Sequence, residues 1–341
     1  MKNIKLLIIS ILLISCNSRK NTNENDVILT QVDSIVNINK FNGVVLIADN
    51  NNIVYRKAFG FSDLEKNQKL KEDDQFYIGS ISKQITAVLI LKEIEKGKLN
   101  LTDTINKFLI DIEQDWVNEV TVHHLLIHTH GIVELDEPLE FELGTKFSYS
   151  QIGYGLLANI LEKIQGKSFE RIATEFFEEL GLQNTFHPDN KNYQNLVKSY
   201  EENELRELIL AEGNPVEYVA AGGFISNVDD LLKWNILLHS GKILNPTFME
   251  LMKTRYATRV HPILETLEYG YGLIFKENEE NIQIGAFGYS PGYASANYYY
   301  PKTKKHLIIL GNVAISLDDF KMTFKTHTDL MNLIKDEQPL E

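Results

Sequence analysis

The sequence predicts an α+β fold: an antiparallel sheet formed from N- and C-terminal segments, flanked by helices, with a mostly helical subdomain inserted between them. Three observations predict it. Strand-like runs gather at the two ends of the domain, within 41–60 and 269–312. Runs with apolar residues three and four apart, each closed by a glycine, fill the middle from about residue 100 to about residue 260. A strongly apolar helical pattern follows Ser80 and links the two regions. At 341 residues, 43% hydrophobic and 24% charged, the chain can bury one large core or two intimate ones.

In chain order, Lys2 and Lys5 precede a mostly apolar run from Leu6 to Ile14, too short to span a bilayer as a mature helix, which reads as an export signal. The tetrapeptide Leu13-Ile14-Ser15-Cys16 resembles the bacterial lipobox, where cleavage falls before a cysteine that is then lipidated. Cys16 is the chain's only cysteine, so lipidation leaves no thiol for disulfides or catalysis. The expected organisation is a signal peptide over 1–15, a polar lipidated tether over 16–26 and one domain over 27–337. The protein is then expected to be exported and held on a membrane by a lipid at Cys16, its body outside the cytoplasm. A net charge of −13 argues against nucleic acid as a partner, because phosphates would be repelled.

From Val27 to Ile38 the spacing predicts a short helix. "FNGVVLIAD" and "NIVYRKAFG" flank Asn50-Asn51 and read as a hairpin. The helix after Ser80 carries Ile81, Ile85, Val88, Leu89 and Ile94 and stops at Gly97; being apolar nearly all round, it is expected to be buried. "QIGYGLLANILEKIQG", "SFERIATEFFEELG" and "NVDDLLKWNILLHSG" are helices with glycine stops. "YGYGLIFKE", "NIQIGAFG", "YASANYYYP" and "KHLIILGN" are strands, and a last amphipathic helix is expected from about Asp318 to Ile334. Strand alternation accounts for Tyr298-Tyr299-Tyr300 as core on one face and surface on the other.

The chemistry centres on Ser80-Ile81-Ser82-Lys83. A serine hydroxyl becomes a useful nucleophile when a base takes its proton, and a lysine serves if burial or positive neighbours lower its pKa. Residues three apart share a helix face, so Ser80 and Lys83 converge, while the free N–H groups of a helix start favour an oxyanion. By itself the pair also fits an ordinary helix start, since serine is a common N-cap and lysine a common helix residue.

"FYIGSISKQITAVLILKEIEKGKLNLTDTI" resembles the nucleophile segment of the serine β-lactamase-like superfamily, in its class C β-lactamase, DD-carboxypeptidase and esterase branch. "VTVHHLLIHTHGI", "GTKFSYSQIGYGLLANILEKIQGKSF", "GGFISNVDDLLKW" and "GAFGYSPGYAS" are similar to further segments of that family, in family order, across about residues 28 to 312. The resemblance implies a β-lactamase/transpeptidase-like fold and a serine hydrolase that passes through an acyl-enzyme. It implies Ser80, Lys83 and Tyr149 as the catalytic set, with either Lys83 or Tyr149 as the base. The backbone N–H groups of Ser80 and Tyr289 would form the oxyanion hole, and Gln151, Phe287 and Gly288 would contact a small-molecule or peptide substrate. No cofactor is implied.

Two departures bear on substrate choice. Gln151 stands where the family has asparagine, keeping an amide on a longer arm. Ala286 stands where the third motif begins with lysine or histidine, removing the side chain expected to recognise a carboxylate and to polarise the tyrosine. An extracytoplasmic ester or uncharged acyl group is therefore expected over an efficiently hydrolysed β-lactam, and a catalytically silent binding module is the alternative. Tyr193-Gln194-Asn195 spells the family's Y-x-N literally, but in a polar stretch, and is expected to be loop. His123, His124, His128 and His130 crowd together, and the pair His124 and His128 has metal-ligand spacing. With no H-E-x-x-H pattern, they are expected to be scaffold rather than a metal site.

Overall fold

A computed structural model describes residues 24–213, 218–276 and 283–335. The expected signal peptide, Cys16 and most of the tether lie outside the described residues. The expected first helix begins at Glu24 rather than Val27, running over Glu24–Ile38 as α1.

Eight strands form the main sheet: β1 (Gly43–Asp49), β2 (Asn52–Phe59), β3 (Ala257–His261), β4 (Glu265–Tyr269), β5 (Ile274–Lys276), β6 (Ile284–Ser290), β7 (Tyr293–Tyr300) and β8 (Lys305–Gly311). Their order is β2-β1-β8-β7-β6-β5-β4-β3, every pair antiparallel. The N-terminal hairpin thus joins the C-terminal strands through β1 and β8, with Gly43 opposite Gly311. Asn50 and Asn51, at φ +47° and +69°, make the hairpin turn, a conformation asparagine tolerates best after glycine.

Strand alternation divides the core into two layers. Val44, Leu46, Ile308 and Leu310 face one body of apolar side chains, and Val45, Ile47, Leu307 and Ile309 face the other. The first body holds the helices α2 (Ser82–Glu95), α3 (Val122–Leu126), α4 (Ile152–Gln165), α5 (Phe169–Leu180), α6 (Val228–His239) and α7 (Pro246–Lys253). The second is closed by α1 with α8 (Phe320–Thr323) and α9 (Lys325–Lys335), through Val32, Val36, Phe324, Leu330 and Ile334. Helix α2 is buried at eleven positions, as its all-round apolar pattern requires. Glycines at positive φ end α4 and α5, Gly166 at +65° and Gly181 at +63°.

Two expectations needed correction in detail, and one hairpin lay outside them. The last helix divides at Phe324, whose ring is buried in the core and whose backbone leaves helical geometry, so α8 and α9 are separate. "YGYGLIFKE" is not one strand: Tyr269 closes β4, and a turn in which Gly270 N–H donates to the Leu273 carbonyl precedes β5. The hairpin of β3 and β4 was unexpected, because Pro262 interrupts the alternation of "ATRVHPILETLEY" where the strand turns.

Four histidines are nearly inaccessible: His128, His130, His306 and His327 are at most 2% exposed. Burial lowers His130, His306 and His327 to about 4 from the usual 6.5, and holds His128 well below it. The unfolded chain takes protons near pH 6.5 that the folded chain refuses, so stability falls as the pH drops from 6.5 toward 4. Each such histidine adds about 1.4 kcal/mol per pH unit in that window. Urea midpoints measured from pH 7 to 4.5 should therefore fall steeply; a flat profile would mean that these imidazoles accept protons in the folded state.

Candidate active site

Ser80 lies in a 3₁₀ turn, Gly79–Ile81, which runs directly into α2. Gly79 sits at φ +55°, and a Cβ there would come within 2.4 Å of the Tyr289 backbone nitrogen. A Cβ on Gly288 would meet the Ile78 carbonyl oxygen at 2.0 Å. Two bare glycines therefore let β6 lie flush against the segment that carries Ser80. This brings the peptide nitrogens of Ser80 and Tyr289 into one neighbourhood. On its far side Tyr289 is held by Glu201, whose Oε1 accepts from the Tyr289 hydroxyl at 2.6 Å and from Gly292 N–H at 2.9 Å.

Lys83 projects from the first turn of α2 and is 1% exposed. Its Nζ lies 3.3 Å from Ser80 Oγ and donates to the Ala221 carbonyl at 2.7 Å. That carbonyl belongs to a π-helical turn, Val219–Gly223, tied to α2 again where Thr86 Oγ1 donates to the Ala220 carbonyl at 2.7 Å. Burial lowers the Lys83 pKa; Tyr149 opposes this, and the Arg259 charge adds to the lowering. The ammonium is thus disfavoured beside the hydroxyl it touches, as a proton acceptor requires.

Tyr149 is 39% exposed, with Lys83 Nζ 4.6 Å from its ring centre. Its position depends on His128, which adopts φ +60°. The His128 carbonyl accepts from Ser148 N–H at 2.9 Å, and its Nδ1 accepts from Ser150 N–H at 3.2 Å. With Nδ1 accepting, the neutral ring carries its proton on Nε2 and donates to the Tyr269 hydroxyl at 3.1 Å. One histidine thus clamps both neighbours of Tyr149 while its ring packs 4.5 Å from the tyrosine ring.

A cavity of about 160 Å³ opens beside Ser80 and Tyr149. Ala286, Phe287 and Tyr289 of β6 form one wall, Arg259, His261, Pro262 and Ile263 a second, and Phe320 and Phe324 a third. The expected site residues are only partly assembled on it. Ser80, Tyr149 and Phe287 line the cavity, Lys83 lies behind Ser80, and Gly288 contributes only its close packing. Gln151, exposed at the start of α4, faces Gly222 of the π-helical turn without lining the cavity. Tyr193-Gln194-Asn195 is loop: the N–H groups of Gln194 and Asn195 donate to Gln75 Oε1. His123 meets the Tyr271 hydroxyl at 2.8 Å, and His124 caps α3 through Thr121, so the clustered histidines serve different parts of the scaffold.

Sequence reasoning missed Arg259 and the clamping role of His128. The signal for Arg259 was the alternation Thr258, Arg259, Val260, His261, which places Arg259 and His261 on one strand face. For His128 the sequence offered only crowding, because its partners lie across the fold.

A serine paired with a buried lysine at the start of a helix, faced by a tyrosine beside an antiparallel sheet, defines the serine-hydrolase type of site on a β-lactamase/transpeptidase-like fold. The chain belongs to the beta-lactamase family, whose model matches residues 33–328. It is 27% identical over 318 residues to a penicillin-binding protein of Bacillus subtilis (strain 168), covering 80% of this chain and 68% of that one. It is 24% identical over 285 residues to the teichoic acid D-alanine hydrolase of Staphylococcus aureus, covering 78% and 70%. The crystal structure of D-amino acid amidase from Ochrobactrum anthropi SV3 superposes with a TM-score of 0.78 at 19% identity, over 92% of this chain and 98% of that one.

Proposed function

We propose that the protein is a serine hydrolase that forms an acyl-enzyme on an ester, amide or peptide outside the cytoplasm, held at a membrane by a lipid on Cys16. The observation that carries the reading is the buried Lys83 Nζ at 3.3 Å from Ser80 Oγ. Ser80 Oγ attacks the acyl carbon as its proton passes to the Lys83 and Tyr149 pair. The N–H groups of Ser80 and Tyr289 hold the oxyanion, and the collapsing intermediate expels the leaving group, which takes the proton back. Water then attacks the acyl-serine by the same proton route and frees the acid.

Relatives named as a D-alanine hydrolase and a D-amino acid amidase agree with acyl transfer from esters and amides. The largely apolar walls of the cavity, and the loss from β6 at Ala286 of the cation that the family's third motif carries beside the nucleophile, favour such substrates over penicillins even with Arg259 on the opposite wall. Incubation with a fluorophosphonate should add one phosphonyl group by intact mass to the wild-type protein and none to Ser80→Ala, whereas penicillin should label slowly or not at all. Rapid turnover of penicillin would overturn the substrate preference. A folded protein that no fluorophosphonate labels would instead make this a silent binding module, the reading that Gln151 and Ala286 favour.

A further inference from the structure

Arg259 lies on β3, the edge strand of the main sheet. Its guanidinium packs over two aromatic faces, 4.9 Å from the Tyr149 ring centre and 5.4 Å from that of Phe147. Stacking uses the faces of the group, while its five N–H bonds lie in its plane. Of these, Nε donates to the Val260 carbonyl at 3.3 Å, and no carboxylate pairs with Arg259 among the described residues.

Among the described residues that line the cavity, Arg259 alone bears a permanent charge, and no acid joins it there. His261, next on the same strand face, is pushed down to about 3 by burial and by Arg259, so it stays neutral. Ala286 across the cavity adds only a methyl group. A half-buried guanidinium with a free edge, facing an otherwise uncharged cavity beside Ser80, carries a desolvation cost that an anion would offset. Burial already lowers the Arg259 pKa.

We propose that Arg259 is the anion-recognition residue of this cavity, selecting ester or amide substrates that carry a carboxylate. The cation absent from β6 at Ala286 is supplied from β3 instead, by a side chain whose flat edge suits a planar carboxylate. The proposal rests on the serine-hydrolase reading of the same site and narrows its substrate class, replacing the uncharged acyl group that Ala286 alone would indicate.

The test uses matched ester pairs that differ only in a carboxylate. p-Nitrophenyl hydrogen glutarate against its methyl ester places the charge on the acyl side. m-Carboxyphenyl acetate against its methyl ester places it on the leaving group. In at least one pair the wild type should favour the anion by about tenfold or more in kcat/KM, chiefly through KM. Arg259→Gln should bring that ratio to about one, whatever rate both members lose with its contact to Tyr149 and its charge near Lys83, and Arg259→Lys should keep part of the preference. No preference in either wild-type pair would overturn the proposal. Equal slowing of both members by Arg259→Gln would overturn it too, confining Arg259 to its contact with Tyr149.

A binding measurement separates this from the hydrolase reading. Monomethyl glutarate titrated calorimetrically into Ser80→Ala should bind about tenfold or more tightly than into Ser80→Ala/Arg259→Gln. That difference, found in a protein whose wild type hydrolyses nothing, would support Arg259 and reject catalysis. Its absence from an active enzyme would reject Arg259 alone.

Discussion

Lys83→Met is expected to lower kcat/KM for an activated ester by about two to four orders of magnitude, the range contributed by a positioned acid or base. Folding should not suffer in proportion. Lys83 is 1% exposed, and desolvation of its charge is the largest influence on its pKa. Methionine fills a similar volume without that cost, although the Ala221 carbonyl loses the donor now at 2.7 Å. The urea midpoint of the variant should therefore hold or rise while activity collapses. A variant that lost stability and activity together would mean that Lys83 is kept for packing, and the proton-transfer role would fall.

Gly288→Ala carries the second large effect, by a different route. Its new methyl group would lie 2.0 Å from the Ile78 carbonyl oxygen and 3.3 Å from Gly79 Cα, both backbone atoms that cannot swing aside. Overpacking of this kind costs about 1–3 kcal/mol. To relieve it, β6 must move away from the Ser80 turn and take the Tyr289 N–H with it. A displacement near 1 Å can cost about a hundredfold in rate, so kcat/KM should drop by that order in protein that remains folded. Gly97→Ala is the control: Gly97 is at φ +71° with no neighbouring heavy atom within 4 Å of the added carbon. It should cost about 1–2 kcal/mol of backbone strain and leave activity unchanged. Equal activity in the two variants would mean that the fit of β6 against Gly79 is not what aligns the oxyanion donors.

Much of the fold was legible because its signals are local. The Asn50-Asn51 turn, the apolar faces of β1 and β8 and the glycine stops of α4 and α5 can be read within a dozen residues of sequence. The hairpin of β3 and β4 was not, since Pro262 disguises its alternation and its strands are stabilised by pairing with β5 across a turn. The break at Phe324 was likewise hidden, because the ring is drawn into the core beneath the sheet rather than following a local helix signal.

The sequence by itself brought Ser80 and Lys83 together as the candidate nucleophile and its partner, since the helical repeat places residues three apart on one face wherever the helix goes. It also determined the absence of a cation at Ala286. Tertiary structure alone decided that Lys83 is buried, which lowers its pKa, that His128 holds Tyr149 through both neighbouring peptides, and that Arg259 brings a charge to the cavity. The physical reason is the same in each case. A pKa, a clamp and a guanidinium with no carboxylate partner among the described residues depend on what lies within a few ångströms, and here those neighbours come from segments up to 176 residues apart, as Lys83 and Arg259 are.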